Sequence, residues 1–465
     1  MSLWVSEYGT IIRGNSNLVL AHGNLQLCSA DFDSLVALTE LNLENDESFD
    51  QLLTFHRRKG LDQLKVKNHV GIIRAPSGAQ IEILPKLTKR QEIGQGRQQL
   101  IKMLMCLRES PFKEGTVANL DVHRMPLFEL FLRQFLEHVV NIVKRGIART
   151  YVAEQDNLRY LRGKLILNEQ IKHNSVNRAA FYCEYDEYEV NRPINRLLRG
   201  ALDIVARCSR ESNNVRLCNE LRYVFDRVPP TKNSKLDFSR IQRDRSVQHY
   251  EAALPLCELI LNGLNPLTSM GGNKVFSLLF PMERVFESYV VAKLRQQLPQ
   301  LELRAQVQSR YLVDAITLVH PMTGNATTKQ LFQLRPDIEL KNEHLDLHFI
   351  ADTKWKLLDE QRVAENYEIK QSDMYQLFAY GEKYLGESEN SALILIYPKS
   401  DQFTEPLPVF WFDKNQTKGL HVLPFDLESD KLILDEPLEE KMKTKRSSVP
   451  SNQTSFVAHY TTKSQ

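Results

Sequence analysis

The sequence predicts an α+β protein of several domains: a β-rich module at the N-terminus, a mainly helical middle and an α/β core toward the C-terminus. Three observations predict it. Short alternating apolar runs broken by glycine and asparagine fill the first part of the chain. The strongly periodic segment Leu127 to Val143 opens the middle. From Phe280 to Phe412 the pattern then switches to helix, strands, helix, strands. At 465 residues the chain exceeds what one hydrophobic core usually organises. An apolar fraction of 42% is enough to pack such domains.

The elements follow in order. Residues 1–115 hold the runs Leu18-Val19-Leu20, Val70-Gly71-Ile72-Ile73 and Ile81-Glu82-Ile83-Leu84, then a helix near Arg97 to Leu107. Residues 116–270 read as mainly helical, and Arg192, Arg196 and Arg199 fall on one of these helices. Residues 271–432 form the α/β core. Its first helix, Phe280 to Leu294, has Pro281 near its start and acidic residues in its early turns. Strands follow at Leu334 to Leu340 and Leu345 to Trp355, then a helix from Asp373 to Tyr380, then strands Ala392 to Tyr397 and Pro408 to Phe412. Residues 433–465 turn to Lys, Ser, Thr, Asn and Gln with few large apolar residues, which predicts a disordered tail.

Composition excludes several classes of function. A formal charge of +2 and a pI near 8.1 rule out gripping nucleic acid by bulk charge, so local patches must do it. The candidate patches are Lys144-Arg145 with Arg149, the Arg159 to Lys164 segment with Tyr160, and the Arg192 helix. Within them Arg162 and Lys164 are the candidate DNA contacts, since basic residues with glycine and aromatic neighbours suit phosphate. The six cysteines show no Cys-x-x-Cys pair and no zinc spacing, as for reduced thiols in a cytoplasmic protein. No signal peptide and no apolar run of about 20 residues is visible, so no membrane is expected. No phosphate loop is present either. Gly271-Gly272-Asn273-Lys274 lacks the spacing and the hydroxyl, so the chain is not expected to hydrolyse nucleotide.

The chemistry concentrates in Arg335-Pro336-Asp337-Ile338-Glu339-Leu340 and His348-Phe349-Ile350-Ala351-Asp352-Thr353-Lys354-Trp355-Lys356. The polar break Lys341 to His344 makes these two strands antiparallel neighbours. Alternation puts Asp352 and Lys354 on one face and Thr353 on the other, and the start of the first strand can bring Asp337 alongside. Two carboxylates suit Mg²⁺, and a nearby ammonium can orient or activate a water for attack on a phosphodiester. A charge at the end of the apolar run Leu347 to Ala351 needs a partner. In a chain this charged an Asp-x-Lys triplet also arises as a solvated rim or a simple ion pair, and the convergence with Asp337 is what separates the two readings. Glu283 and Glu287 lie one turn apart on the first helix, and Gln376 and Tyr380 share a face of the later one.

These motifs and their order resemble the PD-(D/E)xK nuclease superfamily, and the Gln-x-x-x-Tyr helix resembles its RecB-like branch. Pro126 to Phe131, Leu161-Arg162-Gly163-Lys164-Leu165, Tyr185 to Tyr188, Asn191 to Arg196, Ile81 to Leu87 and Leu393 to Pro398 extend the resemblance to the McrC family of modification-dependent restriction systems, over most of the chain to about residue 430. The resemblance implies that Asp337 and Asp352 bind Mg²⁺ and that Glu287 adds to the metal shell. It also implies that Lys354 lies near the attacking water and that Gln376 and Tyr380 shape the site. It further implies a partner, an McrB-like AAA+ GTPase ring that recognises methylated double-stranded DNA. Residues 1–115 would dock on that ring and stimulate it, with Arg57-Arg58-Lys59 or Arg74 presented to it. The expectation is a Mg²⁺-dependent DNA endonuclease subunit of a GTP-dependent, 5-methylcytosine-directed restriction system. Two alternatives stay open: a non-cleaving activator of the ring, and a RecB-like nuclease in DNA repair.

Overall fold

The structure, a computed structural model, describes residues 3–41, 52–58, 60–75, 77–88, 93–107, 125–176, 179–241, 244–262, 276–319, 326–385, 390–416 and 418–443. The chain divides into two compact units, Met1–Val285 and Phe286–Gln465. Both mix helices with sheets, as the α+β class requires. Lys59, residues 271–274 and residues 444–465 of the expected tail lie outside the described residues.

Among the described residues the first unit holds three sheets. One runs Leu18–Val19, Leu25–Cys28, Thr10–Gly14, Leu61–Val66, Leu53–Arg58. Val5, Ile11, Leu25, Leu27, Leu64 and Val66 fill its core together with Phe32 of the helix Ser29–Leu41. A second runs Leu3–Ser6, Gln80–Leu84, His69–Arg74, Phe276–Pro281. The sequence assigns everything from 271 onward to the C-terminal domain, yet Phe276–Pro281 is a strand that pairs antiparallel with His69–Arg74. Gly71 permits the pairing. Its φ is +136°, and a Cβ there would meet the Leu278 carbonyl oxygen at 2.0 Å.

The middle of the chain carries the expected helices, including Leu127–Arg145 and Pro193–Cys208 with proline in its first turn. It also carries a three-stranded antiparallel sheet of Lys164–Leu165, Phe181–Glu189 and Thr150–Leu158. Charged residues interrupt the apolar alternation of these strands, and much of their surface is exposed, so their signal in the sequence is weak.

Buried carboxylates tie these parts together. Glu82, in the strand Gln80–Leu84, accepts from Arg97 Nη2 at 2.6 Å and from the backbone N–H of Leu127 at 2.7 Å. One carboxylate thus neutralises a buried guanidinium and satisfies a donor at the start of the Leu127 helix. Glu129, in that helix, accepts from Ser209 Oγ at 2.6 Å and from the Arg210 N–H at 2.7 Å.

The second unit is built on one seven-stranded mixed sheet. Its main path runs Glu302–Ala305, Ile338–Asn342, Leu347–Thr353, Ser391–Pro398, Gly419–Asp426, Phe410–Trp411, with Lys431–Leu432 pairing the Gly419 strand. The three central strands are parallel. Ser391–Pro398 is buried throughout and reads as a continuous apolar run, as a strand covered on both faces should. The helices Met282–Gln297 and Gln371–Tyr380 flank the catalytic candidates in sequence. Gly419–Asp426 is not anticipated from the sequence, because His421 and Pro424 break its apolar pattern. The helix Glu436–Lys443 lies inside the segment read as a tail; Leu438 is buried, and Asp435 accepts from its N–H.

Replacing Arg97 with alanine leaves Glu82 buried without its cation. Urea denaturation of the full chain should show the first unit destabilised by about 3–5 kcal/mol.

Candidate active site

The site forms where two antiparallel strands reach the same end of the sheet. Ile338 pairs with Ala351, so the next step of the ladder brings Asp337 opposite Asp352. The sequence reading drew one strand from Leu334 to Leu340. Instead one strand ends at Leu334 and the next begins at Ile338. Pro336 lacks the N–H that a continuous ladder needs, and the break frees Asp337 from the sheet.

Asp352 closes the almost entirely buried strand Leu347–Thr353 and is itself 1% exposed. Its Oδ2 accepts from Lys354 Nζ, and its Oδ1 accepts from Gln376 Nε2 at 3.2 Å. Gln376 faces both charges, because its Oε1 accepts from Lys354 Nζ at 3.1 Å. The same Nε2 lies 2.7 Å from the Tyr380 hydroxyl, which donates to the Arg335 carbonyl at 3.0 Å. A chain of contacts therefore runs from Lys354 through the Gln371–Tyr380 helix to the backbone two residues before Asp337. The structure brings Asp337, Asp352, Lys354, Gln376 and Tyr380 into one network.

Strand alternation predicts Thr353 facing away from this group. It is instead the residue that holds Asp337, donating to its Oδ2 from the backbone N–H at 2.7 Å and from the hydroxyl at 2.8 Å. It is the last residue of its strand, where alternation no longer dictates direction.

Glu287 is not part of a three-carboxylate cluster; among the described residues no group of three or more His, Cys, Asp or Glu is arranged to hold a metal. It reaches the site indirectly. Gln306 donates from Nε2 to Glu287 Oε1 at 3.0 Å and from its N–H to the Asp337 carbonyl at 2.8 Å. Gln306 has a φ of +51°, uncommon for a residue with a side chain, and no sequence pattern marks it. The sequence reading also overlooked Asp373, a buried carboxylate whose charge acts on Asp352 and Lys354. His348 lies against Glu339 at 3.0 Å and Trp355 packs on the Phe286 ring at 5.1 Å between centroids.

The electrostatics follow from crowding charge in a dry site. Burial, and then the nearby Asp337 carboxylate, push Asp352 up from an ordinary 3.8 to about 7, against the pull of Lys354. Burial also raises Asp337, against the two Thr353 bonds. Burial alone would lower Lys354, but Asp352 and Asp337 outweigh it and hold the ammonium charged. The site therefore carries negative charge that its own lysine does not fully offset.

The other predicted contacts lie in the first unit. Arg162 stacks on the Tyr185 ring at 4.1 Å, and Lys164 lies opposite Glu184 in the ladder. Both are exposed; Glu154, which pairs across from Tyr185, has its pKa raised by desolvation and then by Glu187 and Glu189. Arg57 is exposed near Asp62, whereas Arg74 packs on Phe128 and donates to Cys208 Sγ.

Comparison with known families decides the kinship. The family model described as "McrBC 5-methylcytosine restriction system component" matches residues 64–398. The chain belongs to the McrBC family. Among solved structures it is similar to a chain of the refined half-complex from the tetradecameric assembly of Thermococcus gammatolerans McrB AAA+ hexamers with bound McrC. That match has 18% identity and a TM-score of 0.66, over 96% of this chain and 99% of that one. A second match, in the T. gammatolerans McrBC complex, has 20% identity and a TM-score of 0.48, over 67% of this chain and 90% of that one. No curated protein matches. The first of these likenesses shows a shared fold. Among the described residues no helix is long and apolar enough to cross a membrane.

The raised pKa of Asp352 fixes the sign of a pH effect. The folded carboxyl keeps its proton where an unfolded one has lost it, so without divalent ions stability falls as pH rises from about 4 to about 7. Asp352→Asn should reduce this dependence, leaving the smaller part that the raised Asp337 contributes. In EDTA the variant should melt above wild type at pH 8, and the difference should shrink toward pH 4.

Proposed function

We propose that this McrBC-family chain is a Mg²⁺-dependent DNA endonuclease subunit, with Asp337, Asp352 and Lys354 as its centre in a PD-(D/E)xK nuclease core. The observation that carries the reading is the convergence of the buried Asp352, the half-buried Asp337 and one charged lysine at the broken end of adjacent strands, braced by a glutamine that contacts both Asp352 and Lys354. The donor set suits Mg²⁺, which is commonly held by one or two carboxylates while keeping several waters. Asp337 Oδ1 accepts no hydrogen bond among the described residues, so one carboxylate oxygen is available. Burial raises the proton affinity of both aspartates, and for Asp352 the neighbouring Asp337 carboxylate adds to it, a cost that a bound cation would relieve.

In this reading Asp337 and Asp352 hold the ion. When bound, Mg²⁺ supplies Lewis acidity toward a phosphodiester oxygen. Lys354 stays protonated under the influence of both aspartates and donates hydrogen bonds to the attacking water or the scissile phosphate. Gln376 keeps Lys354 and Asp352 in register, and Tyr380 fixes the Arg335 carbonyl so that Asp337 cannot swing away. Glu287, tethered through Gln306, acts on the position of Asp337 rather than as a third ligand.

The similar solved structure contains McrB AAA+ hexamers with bound McrC, and the matched family is a 5-methylcytosine restriction system. We therefore assign an AAA+ GTPase ring as partner and methylated duplex DNA as substrate, with residues 1–115 docking on and stimulating the ring, and restriction of foreign DNA as the role. The test is cleavage of methylated and unmethylated plasmid by the full chain with its co-purified ring, Mg²⁺ and GTP. Asp352→Ala should lower cleavage by on the order of a hundredfold or more while stimulated GTP turnover persists. Wild-type protein that stimulates turnover but never cuts would make the chain an activator. Cleavage that needs neither ring nor GTP would place it with repair nucleases.

A further inference from the structure

Between Gln306 and Asp337 lies an element that the catalytic reading does not use. Arg310–Val319 and Ala326–Leu334 form a two-stranded antiparallel sheet of their own, separate from the seven-stranded one. Ten residues of strand at about 3.3 Å each make the ribbon about 33 Å long. Isolated two-stranded ribbons are marginal in water, and their unpaired edges invite a partner.

Its chemistry restricts what that partner is. From Gln306 to Pro336 the sequence contains three cations, Arg310, Lys329 and Arg335, and one carboxylate, Asp314. Asp314 is neutralised by Lys383 at 2.7 Å, whereas Arg310, Lys329 and Arg335 are exposed and pair with no carboxylate among the described residues. Leu312 and Phe332 are 46% and 69% exposed, and register places them across from each other. Phe332 also has a φ of +59°, a backbone state that a bulky residue rarely adopts and that clusters at ligand contacts. The register shifts between Val313 and Ile316, which adds right-handed twist to the ribbon.

The base of the ribbon is fixed to the catalytic network. Tyr384, in a π-helical turn that continues the Gln376 helix, donates to the Leu334 carbonyl at 3.4 Å, next to the Tyr380 bond on Arg335. Asp337 follows three residues after the strand ends. Whatever the ribbon binds is therefore presented to the two aspartates.

We propose that this hairpin is a duplex-binding ribbon that lies in a groove of DNA beside the scissile phosphate. Arg310 and Lys329 neutralise phosphates, and Leu312 and Phe332 contact base edges. The inference rests on the nuclease reading. The major groove of B-DNA admits a two-stranded β-ribbon, and a ribbon of about 33 Å matches about one helical turn. A second copy of the chain would fit the unpaired edges, but it would bring the uncompensated cations of two ribbons together. Duplex DNA instead satisfies both the charge and the exposed apolar pair.

The experiment measures binding of a fluorescein-labelled duplex to the full chain by anisotropy across a salt series without divalent ions. Arg310→Ala/Lys329→Ala should weaken binding at least about tenfold at low salt and reduce the slope of log K against log salt by about 1.8, or 0.9 per lost phosphate contact. Arg310→Lys/Lys329→Arg should keep the slope, and Phe332→Ala should weaken binding without changing it. Unchanged affinity and slope in the double alanine variant overturns the inference, as does wild-type protein that binds no duplex. A change confined to the monomer–dimer equilibrium by sedimentation, with duplex binding intact, overturns it in favour of self-association. Plasmid cleavage with the ring partner separates the two levels: wild type that cuts while the double variant binds like wild type leaves the nuclease reading standing and the ribbon reading refuted.

Discussion

The second unit is organised around the cost of burying Asp352. A carboxylate at the end of an apolar strand, 1% exposed, must be neutralised, hydrogen-bonded or protonated. The surrounding elements answer that requirement. Lys354 supplies charge, Gln376 supplies a donor, and the remaining deficit appears as a pKa lifted to about 7. A fold seeking stability alone would place an apolar residue here. Retaining two carboxylates within reach of each other leaves a site that stands ready for a cation.

The same constraint explains why the neighbours are held so firmly. Asp337 sits just beyond a strand break at Pro336, where nothing in the ladder fixes it. Thr353 grips its carboxylate, Tyr380 grips the Arg335 carbonyl before it, and Gln306 grips its own carbonyl. Three restraints from three elements replace the hydrogen bonds that the broken strand gave up. The first unit meets a similar demand differently. Glu82 and Glu129 are buried carboxylates satisfied by an arginine, a serine, an asparagine and the backbone N–H groups of Leu127 and Arg210. They join segments far apart in sequence, and their oxygens are turned to structure rather than to a ligand.

The charge of the chain is likewise local in its effect. With a net charge of +2 the molecule has no general attraction for nucleic acid. The Arg162 and Lys164 region lies against acidic strands, whereas the hairpin leading to Asp337 has cations without local carboxylate partners among the described residues.

Much of this was legible in the sequence, and the reason is periodicity. Alternation located the strand that carries Asp352 and the one that begins just after Asp337, helical spacing put Gln376 and Tyr380 on one face, and the apolar run at Leu393 identified a further strand. Other features depended on contacts that no local pattern encodes. Phe276–Pro281 joins a sheet whose other strands lie about two hundred residues earlier, Gly419–Asp426 hides its pattern behind His421 and Pro424, and Gln306 reaches the site through a left-handed backbone. Thr353 changed role because a strand end is free of alternation. Side-chain identity and spacing are local properties, so the order of residues already shows which of them are chemically able to form the site. Which oxygen faces which donor, that Glu287 bonds to Gln306, and that the ribbon of Arg310–Val319 and Ala326–Leu334 ends three residues before Asp337 in a strand break all follow from the packing of segments distant in the chain, which local pattern does not encode.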